Sequence, residues 1–521
     1  MSCYWIAEVV PLAVISLLPL VLLPALGVLP IKVVSESYLN DTNIMMMGTM
    51  FLALTVEESN LHKRIALKLL TLVGAKPHLL IAGFMIITSF ISLWISDTAT
   101  AALMCPIAMA LLESVMAHRE ARRRQAEGET VPILSPSLSD PPPVDMASLP
   151  PKDRALCKAI VLVVAHASLI GGTGTINSTG PNLIFRSTIA EFYLGEDTGI
   201  SYLSWMAFAF PPMIFYMIAS WIIIQIQFLG FGQFFSMFSS PSKEEREEES
   251  LVAEVMASSY ERLGPVRWAE KWTLAFFVLL VAMWMSSDPK VVPGWVDLFE
   301  RNMVTDSCAG MLMAFVFFAF PRECPDFFFL RQGSARQRPS KRREGLLTWD
   351  SVKKRFAWSV VLLVGAGIAV TASVKRSGLS SLIVCTFMDH FAALPHFVVQ
   401  VLLSILVVIC TEFSTNVATG SIFIPIAFSM AEQLHVHPLF FSIPAAIGPS
   451  FSFMLPMATP PNAIVYDTKT LSMWDMASCG FLLNIACIIV TVLNMNTWTW
   501  WLFSMGTYPE YAARHNNTMP C

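Results

Sequence analysis

Asp97-Thr98-Ala99-Thr100, with Pro106-Ile107-Ala108 behind it and Thr179-Gly180-Pro181-Asn182 further on, has a counterpart in the second half of the chain. There the sequence reads Asn416-Val417-Ala418-Thr419, then Pro425-Ile426-Ala427, then Thr459-Pro460-Pro461-Asn462. The offset from Asp97 to Pro106 equals that from Asn416 to Pro425, so residue identity and register are both kept. Paired, Gly/Pro-interrupted polar spots in the two halves of a hydrophobic chain are the mark of a transporter built from inverted repeats. Helices break there, and the freed ends and carbonyls can hold ions and anions.

The setting is hydrophobic. The chain has 521 residues, a mean hydropathy of +0.59, 55% hydrophobic and 14% charged residues. That composition predicts an all-α polytopic membrane protein, with charge confined to a few loops. The formal net charge of -4 gives no footing for a nucleic-acid partner. Ten cysteines are scattered without a C-x-x-C pair, so no zinc site or disulfide framework is predicted. Cys105, Cys410 and Cys487 lie in apolar runs and read as small hydrophobes, and Met45-Met46-Met47 as packing filler. The N-terminal apolar stretch carries Glu8 and runs into further spans, unlike a cleavable signal peptide. The sequence has no G-x-x-x-x-G-K-[ST] loop, no G-x-S-x-G elbow and no H-E-x-x-H pair. Neither ATP drive nor enzymatic chemistry is therefore expected.

Membrane segments are predicted near 9–30, 43–57, 79–117, 157–194, 203–230, 270–286, 306–321, 356–373, 376–431, 436–466 and 472–503. The runs 79–117 and 376–431 exceed one crossing of about 20 residues and carry Ser96-Asp97-Thr98 and Thr415-Asn416 inside them. Both read as helical hairpins that enter the membrane and return, which demands that their tips be buried in protein or line a wet cavity. Three hydrophilic loops separate the spans. Residues 118–156 carry Arg119, Arg122, Arg123, Arg124 and Pro141-Pro142-Pro143. Residues 232–268 hold Glu244-Glu245 and Glu247-Glu248-Glu249, and residues 322–355 hold Lys341-Arg342-Arg343 and Lys353-Lys354-Arg355. Counting Lys and Arg puts the first and third loops and His62-Lys63-Arg64 on the cytoplasmic side; two crossings between neighbouring loops bring the acidic loop to the same side, and counting crossings onward puts the C-terminus outside. Asn516-Asn517-Thr518 is then an external glycosylation acceptor, whereas Asn177-Ser178-Thr179 lies inside the candidate site and reads as a false match.

The stretch from Gly171-Gly172-Thr173-Gly174-Thr175 to Asn182 frees several backbone groups and adds hydroxyls from Thr173, Thr175 and Thr179. Such oxygens suit a hard monovalent cation, and the adjoining helix N-termini suit a carboxylate. Pro456 through Asn462 offers the same elements. Neither stretch contains a Lys or Arg; His166 is the nearest base to the first, and Arg186 follows its asparagine. A dianion cannot shed water in such a place without bound cations and half-helix dipoles to balance it. His166 itself reads as a satisfied buried histidine rather than a proton relay.

At these residues the chain resembles the divalent anion:sodium symporters, the family of animal sodium-coupled dicarboxylate and citrate cotransporters, with the sulfate members more distant. The matching pieces are Trp94 to Thr100, Gly171-Gly172 to Asn182, Thr411 to Thr419, and Phe453-Met454-Leu455-Pro456 through Val465, together with Asn60 to Leu67 and Gly74 to Pro77. The resemblance implies a homodimer of elevator-type protomers, each with a scaffold and a mobile transport domain. It assigns 1–78 and 269–373 to the scaffold. It assigns 79–231 (hairpin 79–117, broken helix 157–194, helix 203–230) and 374–505 (hairpin 376–431, broken helix 436–466, last helix 472–503) to the transport domain, with 506–521 as an extracellular tail. It implies a first sodium site at Ser92, Ser96, Asp97 and Gly180 and a second at Thr411, Ser414, Asn416, Ala458 and Pro460. Substrate carboxylates would meet Asp97, Thr98, Thr179, Thr415, Asn416 and Thr459. Sodium serves as coupling ion, without another cofactor, and the plasma membrane is the expected location.

Three departures from the family pattern stand out. Asp97 occupies the place of the family's asparagine, losing an amide donor and adding a negative charge. At about 5 Å and an effective dielectric of about 20, one substrate carboxylate would be repelled by about 3 kcal/mol, which a sodium ion or a proton on Asp97 would offset. The second tip reads Ser414-Thr415-Asn416, where the carboxylate members have Thr then Ser. The chain also starts within what resembles the family's second helix. A sodium-independent carboxylate exchanger, a sodium-sulfate cotransporter and a truncated non-transporting membrane protein therefore stay open as alternatives.

Overall fold

The computed structural model describes residues 10–74, 76–126, 149–231, 243–290, 292–300, 303–324, 344–379, 382 and 394–514. Among the described residues it is helical throughout, apart from one isolated bridge between Pro321 and Gly345. The helices are α1 (Pro19–Ala25), α2 (Ile31–Tyr38), α3 (Asp41–Glu58), α4 (Leu61–Val73), α5 (Pro77–Ser92), α6 (Asp97–Ala126), α7 (Pro151–Gly172) and α8 (Gly180–Phe192). They continue with α9 (Tyr202–Ile224), α10 (Lys243–Glu261), α11 (Trp268–Met285), α12 (Asp306–Ala319), α13 (Trp349–Arg355), α14 (Trp358–Arg376) and α15 (His396–Glu412). The last are α16 (Asn416–Gln433), α17 (Leu439–Ile447), α18 (Pro460–Asp467), α19 (Met473–Met495), α20 (Trp498–Leu502) and α21 (Glu510–Arg514).

Six helical segments among the described residues are long and apolar enough to cross a membrane. The hairpin arms α5 and α15 have 16 and 17 residues, fewer than a full crossing needs. They stop short because the chain turns at Leu93–Ser96 and Phe413–Thr415. The half-helices α8 and α18 are shorter still, at 13 and 8 residues. Large apolar side chains such as Phe90, Phe215, Leu279, Ile489 and Leu493 are exposed, as a lipid-facing surface requires. Trp474, Trp498, Trp500 and Trp501 stand exposed near helix ends, where an indole suits the water–lipid boundary.

At the centre lies α7, buried along its length from Leu156 to Gly172 save for Lys158. It packs on α5, α6 and α9, and small residues let it approach α5 closely. A Cβ on Gly171 would stand 2.5 Å from the Ser89 carbonyl oxygen. Ser89 and Ser92 donate hydroxyl bonds across the same seam, to the carbonyls of Ala167 (3.0 Å) and Ser168 (2.5 Å). A second group of helices comprises α2, α3, α12 and α14. Gly48 of α3 meets Gly310 of α12 backbone to backbone, with a Cβ on Gly48 only 3.0 Å from the Gly310 Cα. In lipid, where apolar burial drives nothing, such small-residue crossings supply the van der Waals contact that holds helices together.

Two boundaries differ from the sequence expectation. The hydrophilic segments at 118–156 and 232–268 are partly helical: α6 runs on to Ala126, and α10 occupies Lys243–Glu261. In α10, Val252, Val255 and Met256 recur at helical spacing and bury one face against α4 and α6, so an acidic segment still folds. The end of the second scaffold part at 373 falls inside α14, which continues to Arg376. Residues 380–381 and 383–393 of the 376–431 hairpin, Pro141-Pro142-Pro143, Lys341-Arg342-Arg343 and Asn516 lie outside the described residues.

Leucine at position 310 would force the α3–α12 crossing apart, and overpacking of this kind costs about 1–3 kcal/mol. Gly310→Leu is expected to lower the melting temperature of the detergent-purified protein by several degrees. Leu312→Ala, on the exposed side of the same helix, should leave it unchanged. Equal melting of the two variants would contradict the tight crossing.

Candidate functional site

The two hairpin tips are built alike. Ser96 caps α6 by accepting from the Ala99 N–H (3.4 Å), and Thr415 caps α16 by accepting from the Ala418 N–H (3.2 Å). Residues 96–98 and 414–416 are half-buried, while the helices behind them are largely buried. The residues after the caps differ. Asp97 turns Oδ1 back to the Thr98 N–H (2.6 Å) and the Thr98 hydroxyl (3.2 Å). Asn416 turns its oxygen outward to Thr411 and Ser452, whose hydroxyls donate to it at 3.1 and 3.0 Å. Thr411 also approaches the Pro449 carbonyl at 2.8 Å.

Facing the tips are two helix interruptions, Thr173–Thr179 between α7 and α8, and Phe451–Thr459 leading into α18. Each is held by one asparagine in the same way. Asn182 donates its amide to the carbonyls of Gly172 (3.3 Å) and Thr175 (2.9 Å). Asn462 donates to those of Ser452 (2.8 Å) and Leu455 (3.0 Å), the same sequence offsets. Thr179 and Thr459 both take an extended backbone without a side-chain cap, and Pro181 and Pro461 follow in the first turn of α8 and α18. The hydroxyls of Thr179 and Thr459 and the amide oxygens of Asn182 and Asn462 are buried without a partner among the described residues. Buried oxygens are rarely left unpaired, and these four are set apart from other such atoms by standing at matched positions in the two interruptions.

The tips and interruptions converge. A Cβ on Gly172 would lie 2.7 Å from Thr179 Cγ2 and 3.7 Å from the Cβ of Asp97. A Cβ on Gly180 would lie 2.4 Å from Val417 Cγ2, beside Asn416. The first tip and the second thus flank the Thr179–Gly180 pair. In exchange, α8 packs on α16, and α18 packs on α6 and α7. The N-termini of α6, α8, α16 and α18 therefore end around one region, with their partial positive charges and unpaired N–H groups. No Lys or Arg occurs in the sequence between Lys76 and Arg119, Lys158 and Arg186, or Arg376 and Lys469.

Of the expected site residues, Ser92, Asp97 and Thr179 gather around Gly172, and Thr411 and Asn416 are joined directly. Thr98 follows Asp97 in the first tip, and Ser414 lies in the second. Ala458 is buried and closes a turn on the Leu455 carbonyl (3.2 Å), and Pro460 opens α18 at the surface.

Glu412 and Asn484 were not among the expected site residues. Glu412 accepts backbone N–H bonds from Phe453 (3.0 Å), Met454 (3.2 Å) and Leu455 (3.3 Å), and the Asn484 amide at 2.6 Å. A carboxylate thus gathers the amides freed by the second interruption. The available signal was a glutamate in an apolar run with no basic residue nearby. At the first interruption, Ser178 and Trp205 do related work, donating to the carbonyls of Gly172 (2.5 Å) and Thr173 (3.2 Å). His166 is fully buried, with Nδ1 3.2 Å from the Ser220 hydroxyl, an edge contact to Phe453, and Nε2 without a partner among the described residues. It is only half satisfied, less than the sequence reading held. Asn177 is 5% exposed, which bars a glycan there.

The chain matches the sodium:sulfate symporter transmembrane region over residues 1–505. It is 58% identical to an uncharacterized transporter of Caenorhabditis elegans, covering 100% of this chain and 91% of the relative. It is 45% identical to the sodium-dependent high-affinity dicarboxylate transporter 2 of the same organism (98% and 90% covered). It is 35% identical to the Na(+)/citrate cotransporter of Rattus norvegicus (99% and 92%). In fold it is similar to the YdaH transporter of Alcanivorax borkumensis, with a TM-score of 0.51 at 11% identity, covering 90% of this chain and 87% of that one.

Aspartate is isosteric with asparagine but cannot donate. Asn182→Asp and Asn462→Asp should each release two carbonyls and place a charge against them, a loss of about 2 kcal/mol or more at the site. Ligand affinity, measured by the melting shift with sodium and succinate, is expected to fall at least about tenfold in both. Unchanged affinity in either variant would remove its asparagine from the site's framework.

Proposed function

The chain belongs to the sodium:sulfate symporter family, and on that premise we propose that it is a secondary active transporter carrying small di- and tricarboxylates, such as succinate and citrate, together with sodium. The observation that carries this reading is the charge balance of the site. Helix N-termini converge there with hydroxyls that have no partner among the described residues, two carboxylates are present in Asp97 and Glu412, and the tips and interruptions contain no Lys or Arg, the guanidinium of Arg186 on α8 being paired with Asp41 and Asp306. Amide dipoles favour an anion, but a doubly charged one entering beside fixed carboxylates needs mobile cations. Sodium fits the donor set, which is all oxygen and hard.

The first sodium is assigned to Ser92, Ser96, Asp97 and Gly180, and the second to Thr411, Ser414, Asn416, Ala458 and Pro460. Asp97 supplies a full charge to the first, while Asn416, already accepting two hydroxyl bonds, offers the second an oriented neutral oxygen. Substrate carboxylates meet Thr98, Thr179, Thr415 and Thr459 along with Asp97 and Asn416. The matching caps and asparagine bonds support a pair of inverted repeats, whose hairpins and broken helices move as an elevator against a scaffold in each subunit of a homodimer. The expected setting is the plasma membrane, N-terminus inside, C-terminus and Asn516 outside.

Asp97 favours a second reading, sodium-independent exchange, in which a proton on this carboxylate replaces a sodium ion. Uptake of radiolabelled succinate and citrate into vesicles, with sodium or choline outside, separates the two. Coupled transport requires uptake to collapse in choline; full uptake in choline supports exchange, and no saturable uptake in either removes both.

The same assay carries a pH test. Protonation of Asp97 relieves its repulsion of a dianion, so the ratio of wild-type to Asp97→Asn uptake should fall as pH rises from about 5.5 to about 8.5. Taking the ratio cancels the substrate's own titration. A flat ratio would show that Asp97 keeps one protonation state throughout.

A further inference from the structure

Arg186 lies on α8, one turn past Asn182, and its guanidinium reaches to the other helix group. It lies 3.3 Å from Asp306 and 3.6 Å from Asp41, the first residues of α12 and α3. A helix N-terminus favours a carboxylate, so both anions are held where they stand. Thr305 and Ser307 add hydroxyl bonds to the same oxygen of Asp41, each at 2.5 Å. Beside them Asn40 approaches the Ser187 hydroxyl at 3.5 Å. At this same end Lys290 joins Asp197, on the α8–α9 connection, at 2.9 Å. Lys375 of α14 donates to the Glu191 carbonyl (2.9 Å) and lies 4.3 Å from the centre of the Phe192 ring, closing over the C-terminus of α8.

The pairs at the far end of α3 are different in kind. Arg355 bonds Glu57 and Glu58, both at 2.8 Å, and joins helices within the α3 group. Arg119–Asp153 (2.5 Å) joins α6 to α7, and Lys158–Asp475 (2.7 Å) joins α7 to α19, all outside the α3 group. The contacts around Arg186 instead cross from one group to the other. The Arg186–Asp41 arm is half-wet, with side chains 20% and 43% exposed, while Asp306 is largely buried at 13%. Opening a fully buried pair strands a charge in protein, at about 3–5 kcal/mol, whereas a half-wet pair can exchange its partner for water.

The geometry points to Arg186 as a releasable latch: its clasp on Asp41 and Asp306 holds α8, and the site that begins α8, against α3 and α12 in one of two transport conformers. This rests on the proposed relative movement of the two groups. Arg186 is a positioning residue here and touches no substrate.

The test is a disulfide trap in the full-length protein in vesicles, with Asn40→Cys and Ser187→Cys and a mild oxidant. Adding Arg186→Gln is expected to slow cross-linking about fivefold or more, and Lys290→Gln to slow it less. Arg186→Lys, which keeps the charge facing both aspartates, should retain much of the rate, which a merely misfolded variant would not do. The cross-linked protein should lose uptake and regain it on reduction. Cross-linking that is indifferent to Arg186, or full uptake by cross-linked protein, overturns the latch. If cross-linking depends on Arg186 but succinate never enters, the latch stands and the substrate assignment fails.

Discussion

Backbone polar groups inside a hydrocarbon layer must find partners within the protein, and this chain breaks its helices where that is hardest to do. Everything at the site follows from how the broken ends are satisfied. Asn182 and Asn462 each tie two carbonyls, and Glu412 collects three amides. Ser178 and Trp205 take further carbonyls. What is left over at the two interruptions is a matched set of buried oxygens, on Thr179, Asn182, Thr459 and Asn462, without a partner among the described residues.

The two halves solve this problem differently. In the second, a carboxylate at position 412 sits behind the interruption and spends its charge on the freed amides. In the first, the position matching it in register is Leu93, which packs where a Cβ on Gly174 would stand 2.3 Å from its Cδ2. The charge in that half stands instead at the tip, on Asp97. Each half thus carries one carboxylate, but one is locked into the framework and the other stands in a half-buried tip.

The sequence was most legible where covalent pattern and backbone physics coincide. The equal offsets from Asp97 to Pro106 and from Asn416 to Pro425 located both tips, and Gly and Pro located both interruptions, because few other residues permit those breaks. Asp97, Thr179, Asn416 and Thr459 could be named for the same reason. The partners of those residues were harder to see. Glu412, Asn484, Ser452 and Ser168 contribute through tertiary contacts that no local spacing encodes. Helix α10 looks like loop in the sequence because its acidic residues mask an apolar stripe of Val252, Val255 and Met256. The asymmetry between Asp97 and Asn416 was visible as a substitution, but the direction each side chain turns belongs to the fold.

The backbone contact between Gly48 and Gly310 bears on the proposed latch. With no side chain interposed, neither helix can slide or roll without steric collision, so α3 and α12 behave as a single welded beam. Asp41 and Asp306, at the same end of that beam, then keep a constant spacing whatever else shifts. A displacement of α8 is thereby measured against a ruler that does not itself bend.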